Sequence, residues 1–318
     1  MQEYTLRVRI GSNVNVRALT AAERSREAVL AQAAWPERPE IVAPGEPENG
    51  SGAAGWVLGA FDDEHLLGSI SVVLDADPAG SGPRRDDAEL SWLVVAPGAE
   101  EQAPTVSDAL LRGATEWALR QGCDGVELAP GTALSDGSAD ALTHSLQERA
   151  DVRVREILDT EIPAVSELVL EAYREDYARL PEEYLAEIAD VAARAKQHVV
   201  WVAEDRETGE LLGTITTPRP GNRMSSVARE GEMDLRLLGV ARAARGRRVG
   251  SLLMRHGLRL ARLRGTPRVV LNTSTEMVAA YEMYDRMGFA RLHDREQQIV
   301  REDGSGFTLL AYGIDVAA

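Results

Sequence analysis

This sequence holds one cysteine in 318 residues, Cys123. A single thiol excludes an intrachain disulfide and a cysteine-based metal site. Histidine is nearly as sparse, and His65, His144, His198, His256 and His293 lie apart without the spacing of a ligand set. No metal is therefore expected. Lysine occurs once, at Lys196, so nearly every cation is an arginine. No apolar run approaches the roughly 20 residues needed to cross a bilayer. The first ten residues alternate like a strand and lack a signal-peptide core. A cytoplasmic protein with no membrane partner is the expectation. Also missing is the Gly-x-x-x-x-Gly-Lys-Ser/Thr signature, which weighs against a nucleotide-binding module.

What is present in excess is negative charge. Asp and Glu number 51 against 35 basic residues, a formal net charge of −16, which argues against a nucleic-acid partner. The first 150 residues hold 24 of the carboxylates and 11 arginines, so the excess is concentrated there. Such a surface suits a cationic amine substrate and equally serves solubility. A chain of this length, 44% hydrophobic, has the material for two domains, expected at 1–150 and 151–318.

Both halves run through the same order of elements. In the first, residues 4–10 read as a strand and 21–34 as a helix. A Pro/Glu/Gly-rich loop follows over 36–55, then a hairpin, 56–61 with 66–74, across an acidic turn. Residues 89–95 read as a strand, 106–121 as a helix, 125–128 as a strand, 131–139 as a loop and 142–150 as helical. In the second half, 152–157 is a strand, 162–177 a helix and 181–196 another. A hairpin joins 198–204 to 211–217, and 218–231 is a polar loop. A strand over 234–240, a helix from Val249, a strand over 268–272 and a helix over 277–287 stopped by Gly288 come next. A final antiparallel pair, 289–300 with 307–314, closes the chain. Glu89-Leu90-Ser91-Trp92-Leu93-Val94-Val95 can be laid over Asp234-Leu235-Arg236-Leu237-Leu238-Gly239-Val240 without a gap, which suggests an internal duplication.

The most informative stretch follows residue 234. An apolar strand leads through Ala241-Arg242-Ala243-Ala244 into Arg245-Gly246-Arg247-Arg248-Val249-Gly250-Ser251. A helical pattern then sets in at Val249, Leu252, Leu253, Leu260 and Leu263. The first N–H groups of a helix have no intrahelical acceptor and sit at the positive end of its dipole, so this turn is suited to a phosphate. Glycine lets the anion approach the backbone and the arginines add charge. The cluster Arg242, Arg245, Arg247 and Arg248 could instead form an ordinary basic surface or an RNA contact.

Arg245-Gly246-Arg247-Arg248-Val249-Gly250 resembles the pyrophosphate turn of the GNAT superfamily of acyl-CoA-dependent N-acyltransferases, Arg/Gln-x-x-Gly-x-Gly/Ala, with Arg248 where Gly is usual. Ala280-Tyr281-Glu282-Met283-Tyr284-Asp285-Arg286-Met287-Gly288-Phe289 resembles that family's helix-to-strand segment, with Met277 where an Asn is common. The resemblance covers 151–318 through motifs and 1–150 through topology alone. It implies an α/β (α+β) fold of two tandem GNAT-like domains, each a mixed, mostly antiparallel central sheet flanked by helices. It also implies transfer of an acetyl group from acetyl-CoA to a small-molecule or peptide amine by direct attack.

By the same resemblance Tyr284 is the proton donor to the departing thiolate, or else a core tyrosine. Asp234 stands where the family often carries a base, or else is a solvated strand residue, with Glu232 as substitute. Arg245, Gly246, Arg247, Arg248, Val249, Gly250 and Ser251 would hold the pyrophosphate. Leu238, Gly239 and Val240 would pair with the pantetheine arm, and Asn272 could join them. Specificity would lie in 173–184 and 218–231. At the matching turn of the first half, Gln102, Thr105 and Ser107 occupy the motif positions beside Glu100, Glu101 and Pro104, so no cofactor is expected there. The departures at Arg248 and Met277 motivate an alternative, a non-catalytic acyl-CoA-binding or interaction protein.

Overall fold

The computed structural model describes residues 5–10, 12–34, 41–42, 53–62, 65–74, 87–129, 145–177, 180–301 and 304–316. The chain divides into two compact units, Met1–Glu148 and Arg149–Ala318. The loop expected over 131–139 lies outside the described residues.

The N-terminal unit contains β1 (Thr5–Ile10), β2 (Ser12–Ala18), α1 (Ala21–Ala34), β3 (Ile41–Val42), β4 (Ala53–Asp62), β5 (His65–Leu74), β6 (Asp87–Val95), α2 (Ala103–Gln121) and β7 (Gly125–Leu128). Its sheet runs β1-β2-β4-β5-β6-β7, with β3 on β4. Pairing is antiparallel except for β6 with β7 and β3 with β4. Helix α2 lies on this sheet through Val106, Leu110, Ala114 and Trp117 at helical spacing. Pro104 opens it. Gly122, at φ +79°, closes it by donating to the Leu119 carbonyl, while Cys123 donates to that of Ala118.

The C-terminal unit contains β8 (Val152–Glu156), α3 (Ile162–Asp176), α4 (Glu182–Ala189), α5 (Val191–Gln197), β9 (His198–Asp205), β10 (Leu211–Pro218) and β11 (Glu232–Val240). Then come α6 (Val249–Leu263), β12 (Arg268–Ser274), α7 (Val278–Arg286), β13 (Ala290–Arg291), β14 (Gln297–Val300) and β15 (Gly306–Asp315). The sheet order is β13-β15-β12-β11-β10-β9-β8, with β14 on β15. Among the described residues only β11 and β12 run parallel. Val199 to Ala203 are all buried, as a strand covered on both faces requires. On one face lies α3 through Val165 and Val169, on the other α6 through Val249, Leu253 and Leu260. A Cβ on Gly257 of α6 would stand 2.9 Å from Leu235, so glycine sets that close approach to β11.

The gapless overlay has a structural counterpart. In β6 the register with β5 shifts between Ser69 and Ser71, which face Val94 and Ser91. In β11 the register with β10 shifts between Thr214 and Thr216, which face Gly239 and Arg236. Each strand therefore bulges at the same place in the overlay, Trp92-Leu93 and Leu237-Leu238. Parallel pairing also stops at matched residues, Leu90 with Leu128 and Leu235 with Leu271. The fold is thus mixed α/β with two such sheets.

Several expected elements differ. Residues 12–18 form a strand paired with β1, because Val14 and Val16 alternate into the core. The helix expected over 181–196 breaks at Asp190, whose carboxylate accepts from the Ala193 N–H and starts a second helix. Residues 145–150 are bends, not helix. The strand expected over 289–300 is interrupted by a 3₁₀ turn at His293–Arg295.

Candidate active site

Strand β11 is pulled out of regular pairing at Leu237, which has φ +54°. A leucine rarely adopts a left-handed conformation, and here the bulge imposes it. Beyond Leu235 and Leu271 the two parallel strands part. Strand β12 continues through Asn272, Thr273 and Ser274 paired with β15 alone. The edge of Leu238, Gly239 and Val240 that faces away from β10 is consequently left without a strand partner. A cavity of about 60 Å³ occupies the wedge, lined by Leu235 to Leu238 on one strand and Leu271 to Thr273 on the other. The remaining lining comes from Tyr173, Tyr177, Ile215 and Met254, and from Met277, Ala280 and Tyr284 on one side of α7 and its N-cap. Asn272 lines this cavity, and its Oδ1 is buried without a hydrogen-bond partner. Such an oxygen is an acceptor in want of a donor.

Tyr284 is buried among aromatics, with ring centroids 5.8 Å from both Phe289 and Tyr312. Burial, reinforced by the neighbouring Tyr177, Tyr184 and Tyr312, raises its pKa well above that of an ordinary phenol. The proton therefore stays on the oxygen, and Tyr284 is a donor across the working pH range.

At the far end of β11 the turn 245–248 leads into α6. Gly246 has φ +80°, and Arg248, the N-cap, has φ +61° and ψ 24°. Both adopt the left-handed conformation that favours glycine. This is the physical reason the family pattern carries Gly where this chain carries Arg248. The Arg248 side chain is exposed, so the departure keeps the turn's shape at a cost in strain. No side chain caps the helix, and its first amide bond runs from Leu252 N–H to the Arg248 carbonyl. The N–H groups of Val249, Gly250 and Ser251 have no intrahelical acceptor. Arg247 departs from expectation, since its guanidinium bonds Asp205 at 2.7 Å and its carbonyl accepts from Arg149.

The two candidate bases are occupied. Asp234 is fully buried, and its carboxylate accepts from Met224 N–H at 3.0 Å and Ser225 Oγ at 2.7 Å. It anchors the 219–231 segment to β11 and does not line the wedge. Glu232 is held in a two-pronged pair with Arg295, at 2.5 and 2.9 Å, and accepts from Arg229 N–H. Burial alone would raise its pKa, but these donors outweigh it and hold the carboxyl below its ordinary value. Among the described residues no group of His, Cys, Asp or Glu side chains is arranged to hold a metal ion.

Residues 162–289 match the family model "Acetyltransferase (GNAT) family". The chain carries a GNAT acetyltransferase domain. That acetyltransferase domain spans the wedge, the turn and the Tyr284 segment. Similar solved structures include the ribosomal-protein-S18-alanine N-acetyltransferase of Escherichia coli, 15% identical, matching 52% of this chain and 95% of that one at TM-score 0.39. An N-acetyltransferase of Staphylococcus aureus Mu50 is 15% identical over 53% of this chain and 100% of its own, at TM-score 0.41. The protein yncA of Salmonella typhimurium, assigned as an acetyltransferase and solved with its cofactor acetyl-CoA, is 16% identical over 52% and 95%, at TM-score 0.40. No curated protein sequence matches the chain.

The turn equivalent to 245–251 in the N-terminal unit is built differently. Just ahead of it the Gly98 N–H donates to the Glu100 carboxylate at 2.9 Å, so an internal anion precedes that turn. Pro104 removes another N–H at the start of α2. Sequence reasoning did not single out Arg194, His198 and Arg236, which line a second cleft beside the wedge. Leu237 carried no sequence signal, since its positive φ follows from the bulge.

Proposed function

We propose that the C-terminal unit transfers the acetyl group of acetyl-CoA to a primary amine of a small molecule or peptide by direct attack on the thioester carbonyl. The observation that carries this reading is the wedge between β11 and β12, with a buried protonated phenol on its wall and an uncapped helix N-terminus at the end of the same strand. In this reading the N–H groups of Val249, Gly250 and Ser251, in the turn begun by Arg245 and Gly246, take the pyrophosphate, and Arg248 adds charge. Arg247 takes a smaller part because Asp205 already holds it. The open edge of Leu238, Gly239 and Val240 pairs with the pantetheine arm, and the Asn272 oxygen accepts from one of its amides. An N–H on that edge polarises the thioester oxygen as charge develops there. Tyr284 donates to the departing thiolate. With Asp234 and Glu232 both engaged, the amine loses its proton to water rather than to a carboxylate.

The N-terminal unit, residues 1–150 as a domain, binds no coenzyme in this account. Tandem organisation is similar to that of mycothiol synthase, so a thiol-sugar amine belongs in an acceptor screen. The departures at Arg248 and Met277 keep a non-catalytic acyl-CoA-binding protein as the rival. Turnover separates the two readings. With acetyl-CoA and an amine panel, Tyr284→Phe is expected to lower kcat roughly 100-fold. Its Kd for acetyl-CoA should stay within about twofold. Unchanged turnover would remove Tyr284 from the chemistry, and binding without turnover of any amine by the natural sequence would favour the rival.

A further inference from the structure

Beside the wedge lies a second, larger cleft of about 270 Å³. Arg236 and Leu237 of β11 line both cavities. A molecule seated in the cleft therefore reaches the wedge across a single residue pair. Its other walls include Glu187 of α4, Arg194 of α5, His198 at the start of β9, and Met224, which Asp234 holds in place.

Hydrogen-bonding capacity in this cleft is unbalanced. Its acceptors are largely engaged: the Asp190 carboxylate takes the Ala193 N–H at 3.0 Å, and Glu187 takes Arg236 at 3.2 Å. The donors are not. Arg194 uses Nη1 on the Glu187 and Ile188 carbonyls at 2.8 and 2.9 Å, while its Nε is buried without an acceptor. His198 Nδ1 is likewise buried without a partner. Burial lowers the His198 pKa, and although Asp234 opposes this, Arg219, Arg236 and Arg194 add to it, so three guanidinium groups act on one point. Arg194 and Arg236 also act unfavourably on each other, an effect that Asp190 and Glu187 oppose. A planar oxyanion presented to this cleft would meet forked donors and relieve like-charge repulsion at once.

We propose that the cleft lined by Arg194, His198 and Arg236 binds the carboxylate of the acceptor, so that the acceptor is an amino acid or a similar amine that bears a carboxylate close to its nitrogen. The proposal rests on the acetyltransferase reading above and narrows its acceptor. Leu237, shared by the two cavities, marks where the amine end of such a molecule enters the wedge while its carboxylate stays on the guanidinium groups. The cleft's volume suits a single amino acid rather than a folded protein surface.

The test uses the full-length protein, saturating acetyl-CoA and matched pairs of acceptors: L-leucine with isoamylamine, L-phenylalanine with 2-phenylethylamine, and L-lysine with 1,5-diaminopentane. Thiol release gives kcat/KM for each. The carboxylate-bearing member should be preferred by roughly tenfold or more in at least one pair. In Arg236→Gln that ratio should fall toward one, chiefly through KM. Arg236 is the decisive position because Arg194 also holds the end of α4, and Arg194→Gln could disturb folding. Equal or better use of the decarboxylated amines, a ratio that survives Arg236→Gln, or no turnover of any amino acid by a protein that binds acetyl-CoA would each overturn the proposal. Failure to bind acetyl-CoA in calorimetry would overturn the coenzyme reading instead.

Discussion

Arg248 shows how one residue can depart from a pattern and keep its geometry. At φ +61° its backbone sits where a Cβ is disfavoured by about 1 kcal/mol or more. Arg248→Gly is therefore expected to raise stability by about 1 kcal/mol, a gain in Tm of roughly 2–4 °C for a unit of this size. Acetyl-CoA affinity should fall modestly with the lost charge. A lower Tm on thermal melting would show that the arginine makes a compensating contact. Asp234 teaches the opposite lesson. A carboxylate at a family base position reads from sequence as catalytic, yet here its partners are Met224 and Ser225, about ten residues earlier. Asp234→Asn should destabilise the unit by about 1–3 kcal/mol and raise the acceptor KM as the 219–231 segment shifts. The pH at which kcat falls should not move; loss of the acidic limb would restore Asp234 as the base.

At the scale of elements, stability and pH are linked through the Glu232–Arg295 pair, which ties β11 to the turn at His293–Arg295. The folded-state pKa of Glu232 lies below its unfolded value of 4.5. Its contribution is thus present above about pH 4.5 and is lost as pH falls through the folded value. Thermal melting between about pH 5 and 3 should show a steeper loss for the natural sequence than for Glu232→Gln, and parallel curves would contradict the linkage. Most elements were legible from their apolar pattern: the buried face of α6, the apolar runs of β4 and β5 on either side of an acidic turn, and Gly288 as a stop. The β11 strand and the turn after it were legible as motifs. What escaped depends on contacts distant in sequence or on irregular backbone. The wedge needs the Leu237 bulge, and the break at Asp190 needs one cap to outweigh a continuous helical pattern. The second cleft gathers side chains from five segments, of which β11 alone was legible as a motif.

At the scale of the molecule, two units that share a strand, helix, hairpin, strand, helix, strand order differ at the turn that would hold a phosphate. Matched bulges in β6 and β11, and matched ends of parallel pairing, fit descent of both from one ancestral unit. Divergence then left Glu100 ahead of the first turn and Pro104 within it, against an arginine-flanked turn in the second, with neither helix capped by a side chain. The central claim is that a single coenzyme site exists and lies in the C-terminal unit. Isothermal calorimetry of acetyl-CoA into the full-length protein tests it most directly, with Gly250→Glu as the control. A Cβ at Gly250 would make only ordinary contacts, 3.5 Å from Met283 and Val240, so the variant should fold while placing a negative charge at the positive end of α6. The account predicts one site per chain, abolished in the variant. Two sites, or binding that survives Gly250→Glu, would contradict it.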